Sequence, residues 1–211
     1  MTDSLFSQTK LSKVLVDNLQ EIGYQSMTPI QAQTLPHILD GKDVIGQGKT
    51  GSGKTAAFGL GILHNLRVKR FRIQALVLCP TRELADQVAK EIRKLARAIH
   101  NIKVLTLCGG TPLGPQIGSL EHGAHIIVGT PGRIEDHLGR ERLDLSEVNT
   151  IVLDEADRML EMGFQATLDF ILSKCPTQRQ TLLFSATFPD QIAQLTKNIM
   201  SSPTSIKVES T

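Results

Sequence analysis

Apolar positions along the chain follow two alternating patterns. Short β-branched runs at Asp43–Ile45, Ala75–Cys79, Val104–Leu107, Ile126–Val128, Thr150–Leu153, Thr181–Phe184 and Ser205–Val208 read as strands. The runs are continuous rather than alternating, which predicts strands covered on both faces. Segments of helical period lie between most of them. Leu84, Val88, Ile92, Leu95 and Ile99 trace one apolar stripe just after Pro80-Thr81. Leu11, Leu15, Leu19 and Ile22 trace another, stopped by Gly23. Each stripe marks a helix with one buried face. Strand–helix alternation implies βαβ crossovers, hence an α/β fold with a mainly parallel sheet and helices on both faces. Such sheets bind ligands at the carboxyl ends of their strands. Chemistry is therefore expected just after each strand.

Composition narrows the class. The chain has 211 residues, 40% hydrophobic and 21% charged. That suits one domain or at most two small ones, and excludes disorder, collagen and coiled coil. No apolar run reaches the roughly 20 residues of a membrane span. Met1 to Lys10 is polar and has no signal-peptide core, so a non-secreted, cytoplasmic protein is expected. Cys79, Cys108 and Cys175 are odd in number and far apart, which fits a reducing compartment and no zinc or disulfide framework. The six histidines show no ligand spacing. Net charge is only +2, but Gly61–Gly110 holds ten Lys/Arg against three acids, a local +7 that leaves −5 elsewhere. Such a block permits a polyanion partner, although a charge run is most often a solvated face. The Arg67–Arg72 loop reads as solvated.

Gly48-Lys49-Thr50-Gly51-Ser52-Gly53-Lys54-Thr55 fits the phosphate-binding pattern GxxxxGK[ST], placed after a strand and opening a helix. Backbone N–H groups of Thr50, Gly51, Ser52 and Gly53 would face phosphate oxygens, helped by the helix dipole. Lys54 would reach the β- and γ-phosphates, and the Thr55 hydroxyl a Mg²⁺ ion. The metal needs a second site, and Asp154-Glu155 supplies it at the end of an apolar strand. Asp154 would hold Mg²⁺, partly through water, and Glu155 would orient or deprotonate the attacking water. Glu155, Lys54 and Asp154 are thus the candidate catalytic residues of a nucleoside triphosphatase.

Asp154-Glu155-Ala156-Asp157 spells D-E-A-D, and with the phosphate loop it resembles the DEAD-box RNA helicase family. Further motifs match in the family's order. Gly23 to Gln31 resembles the adenine-reading Q motif, including Tyr24, Thr28 and Gln31. Phe6 lies 17 residues before Gly23, the family's place for an aromatic packed on the base. Pro80-Thr81-Arg82, Gly109-Gly110 and Thr130-Pro131-Gly132-Arg133 resemble RNA-backbone motifs. Ser185-Ala186-Thr187, with Asp157, resembles the set that couples hydrolysis to strand separation. The resemblance implies a RecA-like domain that binds ATP, Mg²⁺ and RNA. It divides the chain into a Q-motif segment at 1–32 and an ATP-binding domain at 33–211. The wording of Leu76–Leu84, Leu105–Gly110, Asp154–Phe164 and Arg179–Thr187 is similar to a bacterial member acting on ribosomal RNA.

The residues also have plainer readings. A carboxamide such as Gln31 can match adenine's N6/N7 edge. Thr28-Pro29-Ile30-Gln31 is equally a capping box, and the two roles can coexist. Phe6 alone reads as core or base packing, Tyr24 as core or ligand edge. Arg82 and Arg133 can clamp phosphodiesters or salt-bridge a helix start. Asp157, Ser185 and Thr187 can be a coupling set around a buried carboxylate or a structural network. Eight aromatics and no tryptophan disfavour a base-stacking platform and favour a backbone grip. Gly48 and Gly129 stand where the family usually has alanine, at an ordering cost of up to about 1 kcal/mol each. The resemblance also implies a second RecA-like domain, carrying arginine fingers, as the missing partner of a monomeric chain. Nucleotide binding with slow hydrolysis and no unwinding is therefore expected of this chain alone. The alternative is a nucleotide-gated RNA-binding module without turnover, and a related DNA translocase is the third reading.

Overall fold

The computed structural model describes residues 4–209, so residues 1–3 and 210–211 of the expected segments lie outside it. Seven strands form one sheet in the order β3-β4-β2-β5-β6-β1-β7. They are β1 Val44–Gln47, β2 Ala75–Leu78, β3 Val104–Leu107, β4 Ile126–Gly129, β5 Thr150–Leu153, β6 Gln180–Ser185 and β7 Thr204–Lys207. Every neighbouring pair is parallel. The helices are α1 Lys13–Glu21, α2 Pro29–Leu39, α3 Lys54–Asn65, α4 Arg82–Leu95, α5 Leu113–His122, α6 Pro131–Gly139, α7 Ala156–Glu161, α8 Gln165–Ser173 and α9 Asp190–Ile199.

Successive strand residues point to opposite faces, and each face has its own core. Val44, Val77, Val128, Val152 and Phe184 pack against α1 to α4. Ile45, Leu76, Leu78, Ile151 and Leu183 pack against α6 to α9. The central strands are covered on both sides, as continuous apolar runs require. The edge strands are not: β3 is only partly buried and β7 alternates half-buried with exposed. An edge strand has a neighbour on one side only, so the helices wrap it incompletely.

Most strand boundaries differ from the sequence reading by one or two residues; only β3 and β5 keep theirs. β1 begins at Val44; the Asp43 carbonyl accepts from the Thr204 N–H at 2.9 Å, and the Asp43 carboxylate accepts from the backbone N–H groups of Thr181 and Ser201. The α4 stripe runs past its helix, which stops at Leu95, leaving Ile99 in the following turn. The 32/33 division falls inside α2, and Phe6, Leu15 and Ile30 share one core with the strands. All three thiols are buried and free. Burial pushes Cys108 and Cys175 up to about 11 and raises Cys79 well above its ordinary value, so they stay protonated at neutral pH.

The Arg67–Arg72 loop precedes β2 and so lies at the amino edge, across the sheet from the expected ligands. Arg70 and Arg72 both pair with Glu147 there. The Gln74 side chain accepts from the Arg67 N–H and donates to the Arg67 and Arg70 carbonyls.

Candidate functional site

The strands deliver their C-terminal residues to one edge. β1 leads into Gly48–Gly53, β5 into Asp154-Glu155, β6 into Ala186-Thr187, and β2, β3 and β4 into Cys79–Thr81, Cys108–Gly110 and Thr130. The edge has a nucleotide-sized half and a backbone-gripping half.

The first half is a cleft of about 740 Å³ between the phosphate loop, the Gly23–Gln31 segment and α4. Phe6, Tyr24, Thr28, Gln31, Thr50, Gly51, Gly53, Lys54 and Thr55 line it, as the sequence predicts. The loop curls through left-handed glycines, Gly51 at φ 84° and Gly53 at φ 89°. At Gly53 a Cβ would also stand 2.6 Å from the Gln31 amide nitrogen, so glycine is needed there twice over. Gln31 explains the closeness. Its oxygen accepts from the Thr28 N–H at 2.9 Å, and its NH₂ donates to the Gly53 carbonyl at 2.9 Å. Gln31 thus ties the α2 N-terminus to the phosphate loop, a contact that no spacing in the sequence discloses. The Thr28 hydroxyl, for its part, is left without a partner. Capping and cleft-facing roles therefore coexist in Gln31.

Tyr24 stands at the rim. Its hydroxyl donates to Glu91 at 3.0 Å and accepts from Lys94 at 3.2 Å. Phe6 is 2% exposed, so it contributes core packing and only an edge to the cleft wall. Ser52 does not line the cleft; its hydroxyl is turned under the loop. Leu84, Gln87, Val88 and Glu91 of α4 form a wall that the sequence reading assigned only to a helix stripe.

Beneath the loop, Lys54 Nζ stands 2.8 Å from Asp154 Oδ1, both nearly sealed from solvent. Neither carboxylate oxygen of Asp154 receives a well-aligned protein hydrogen bond. Burial raises the Asp154 pKa, and the Lys54 ammonium partly offsets it. Seven buried side-chain polar atoms lack a partner among the described residues, and four of them are Thr28 Oγ1, Ser52 Oγ and the two Asp154 oxygens. Asp154 Oδ1 still has the Lys54 ammonium beside it, but buried polar atoms without a hydrogen-bond partner are costly unless something arrives to meet them. Their clustering here, with Thr55 on the wall, fits a cation and a polyphosphate. Glu155 follows at φ 50° and ψ 53°, a left-handed conformation rare for a side-chain-bearing residue. Such strain is retained where surrounding structure enforces it, often at reacting groups.

Beside the cleft, the Thr187 N–H and hydroxyl both donate to Asp157 Oδ2, at 3.1 and 2.8 Å. Ser185 Oγ accepts from the Asp157 backbone N–H at 3.2 Å, rather than binding the carboxylate. The three residues are joined as expected, but Asp157 is half-exposed, not buried. The carboxylate is thus open to rearrangement.

In the second half, Thr81 Oγ1 accepts from Leu84 N, capping α4, and Thr130 Oγ1 accepts from Gly109 N. Each hydroxyl keeps its O–H free to donate outward. Among the described residues Arg82 and Arg133 form no ion pair with an acid; they donate to the carbonyls of Gly110 and Thr111. Gly110 and Gly132 are exposed beside them, while Pro80 is buried and offers stiffness rather than surface.

Residues 28–195 match the DEAD/DEAH box helicase family. The chain is 58% identical over 194 residues to the ATP-dependent RNA helicase DbpA of Escherichia coli (strain K12), covering 92% of this chain and 42% of that protein. It is 48% identical over 204 residues to the DEAD-box ATP-dependent RNA helicase CshA of Geobacillus kaustophilus (strain HTA426), covering 97% and 44%. The fold resembles the crystal structure of a DEAD box protein from the hyperthermophile Methanococcus jannaschii, with a TM-score of 0.92 at 40% identity, covering 97% of this chain and 56% of that one. The chain therefore spans less than half the length of these two helicases.

Proposed function

Because the chain belongs to the DEAD/DEAH box helicase family, we propose that it is the ATP-binding, RNA-gripping part of an ATP-dependent RNA helicase. The observation that carries this reading is the buried Lys54–Asp154 pair beneath the glycine loop, with Asp154 Oδ2 and the Ser52 hydroxyl unpartnered beside it, next to a cleft the size of a nucleotide.

Lys54 and the loop amides hold the β- and γ-phosphates, and Gln31 and Tyr24 flank the base. Thr55 and Asp154 hold Mg²⁺, which neutralises phosphate charge when bound. Glu155 directs a water onto the γ-phosphate and takes its proton. Arg82, Arg133, Thr81, Thr130 and the Gly109-Gly110 and Gly132 backbone grip RNA along its sugar–phosphate chain, without reading sequence. Asp157, Ser185 and Thr187 relay the state of the nucleotide to that grip. Turnover coupled to unwinding needs a second RecA-like domain of the full-length protein. Ribosomal RNA is the target we favour, on the wording of the four segments named above, with a role in ribosome assembly. Three buried, free thiols suit a reducing, cytoplasmic setting, and we take the protein to act as a monomer.

Glu155→Gln is the decisive variant. It should bind fluorescent ATP within about twofold of the parent and lose measurable phosphate release. Equal release by parent and variant would remove Glu155 from the chemistry. If GDP binds as tightly as ADP, Gln31 does not read adenine.

A further inference from the structure

Behind the RNA-facing loops lies a closed polar knot whose central residue belongs to none of the recognised motifs. Gln116, on α5, is buried. Its NH₂ donates to the Cys108 carbonyl at 3.0 Å and to Thr111 Oγ1 at 2.8 Å. Its oxygen accepts from Arg133 Nη1 at 3.2 Å and lies 2.8 Å from His137 Nε2. A carboxamide offers two donors and two acceptor sites, so Gln116 is saturated.

The partners fix the knot's chemistry. Arg133 can only donate and a carbonyl can only accept, so the amide orientation is determined. His137 Nε2 must then carry the proton, leaving the buried Nδ1 bare, and Nδ1 is indeed without a partner. Burial, with Arg142 beside it, lowers the His137 pKa from its ordinary value, which favours the neutral ring.

We infer that Gln116, braced by His137, is a positioning residue that locks Arg133 and the Gly109-Gly110 loop into one RNA-gripping unit. The inference rests on the proposed RNA role of that edge and adds a residue no motif assigns.

The geometry serves the grip in two ways. Arg133 spends Nη1 inward on Gln116 and on the Thr111 carbonyl, which presents its remaining donors in a fixed plane. The carbonyls of Cys108, Gly110 and Thr111 are all engaged by side-chain donors, which turns their negative ends away from an incoming phosphate. A Glu at position 116 would lose both donors, and a Leu all four bonds.

The test is a double-mutant cycle read by fluorescence anisotropy on a labelled single-stranded oligouridine, across a salt series. Arg133→Ala should weaken RNA binding roughly tenfold and lower the salt slope by about 0.7, one phosphate on a single strand. Gln116→Leu should weaken it roughly three- to tenfold, with a similar fall in slope. The double variant should be within about twofold of Arg133→Ala alone, because both remove the same contact. Fluorescent ADP binding should stay within twofold throughout, which separates lost positioning from lost folding. Additive losses, or unchanged RNA binding in Gln116→Leu, would overturn the inference. If Arg133→Ala alone changes nothing, the RNA reading of this edge fails and takes the inference with it. Should Gln116→Leu not fold, Thr111→Val, which removes one of the Gln116 bonds at a half-exposed loop, replaces it in the same cycle.

Discussion

Glu155 shows what a single residue contributes. Its left-handed backbone costs of the order of 1 kcal/mol for a side chain with a Cβ. Glycine would be unstrained there, so Glu155→Gly should stabilise the chain by about 0.5–1 kcal/mol, raising Tm by a few degrees. It should also abolish phosphate release. Calorimetry beside a turnover assay checks both, and a lower Tm would mean that the strain is not borne at this residue. The two glycines that replace the family's usual alanines differ in the same physical terms. At Gly48 a Cβ would meet nothing nearer than Ser52 Oγ at 3.5 Å, so Gly48→Ala should leave stability unchanged or raise it by less than about 1 kcal/mol. At Gly129 a Cβ would stand 2.5 Å from the Leu107 carbonyl oxygen. Gly129→Ala should cost about 1–3 kcal/mol in denaturant unfolding, because edge strand β3 must move outward. Equal midpoints for the two variants would show that β3 yields freely. At this scale the sequence was legible wherever chemistry demands a residue type at a spacing, as in Lys54 and Asp154. It was silent on Gln31 meeting Gly53 and on Gln116 meeting Arg133, which sit 22 and 17 residues apart on different elements.

Elements set the dual duties of the edge. Thr81 closes β2 and caps α4 through the same oxygen that borders the RNA face. Thr81→Ala should lose about 1 kcal/mol from the missing cap and weaken RNA binding, while Thr81→Ser should keep both. A serine variant that is stable yet deficient in RNA binding would show that the methyl, not the hydroxyl, matters. The strands could be read because buried parallel strands require unbroken β-branched runs. Gln180 and Ser185, the ends of β6, escaped that logic, since both are polar yet buried in the ladder and an apolar run does not reach them. α5, with Gly114, Pro115 and Gly118, carries little apolar periodicity, and α7 is only six residues long. Neither gives a pattern strong enough to announce itself. The wall that α4 lends the cleft was hidden for another reason. An amphipathic stripe says which face is buried, but not that its first three turns wall a cleft beside a neighbouring loop.

At the scale of the molecule, a parallel sheet gathers every reactive strand end onto one edge, and the charge divides accordingly. The basic stretch that looked continuous in sequence splits between Arg82 on the ligand edge and Arg70 and Arg72 at the far edge, where Glu147 neutralises part of it. Arg70→Ala should therefore leave RNA affinity and its salt slope unchanged, whereas a fall in slope near one phosphate would place RNA across both edges. The cleft has a further property that bears on rate. Among the described residues lining it, Lys54 is the only cation. Phosphoryl transfer spreads negative charge over the γ-phosphate oxygens, and an added arginine finger is worth about 10³–10⁵ in rate. With Lys54 already paired to Asp154, this chain has little charge left for the transition state. It should bind ATP with Mg²⁺, release phosphate slowly, and gain little from RNA. Fusing a second RecA-like domain bearing arginines should raise turnover by about 10³ or more and make it RNA-dependent. Steady-state phosphate release with and without structured RNA decides the matter. Fast RNA-stimulated release by the chain alone would mean that a second copy completes the cleft, and turnover would then rise with protein concentration.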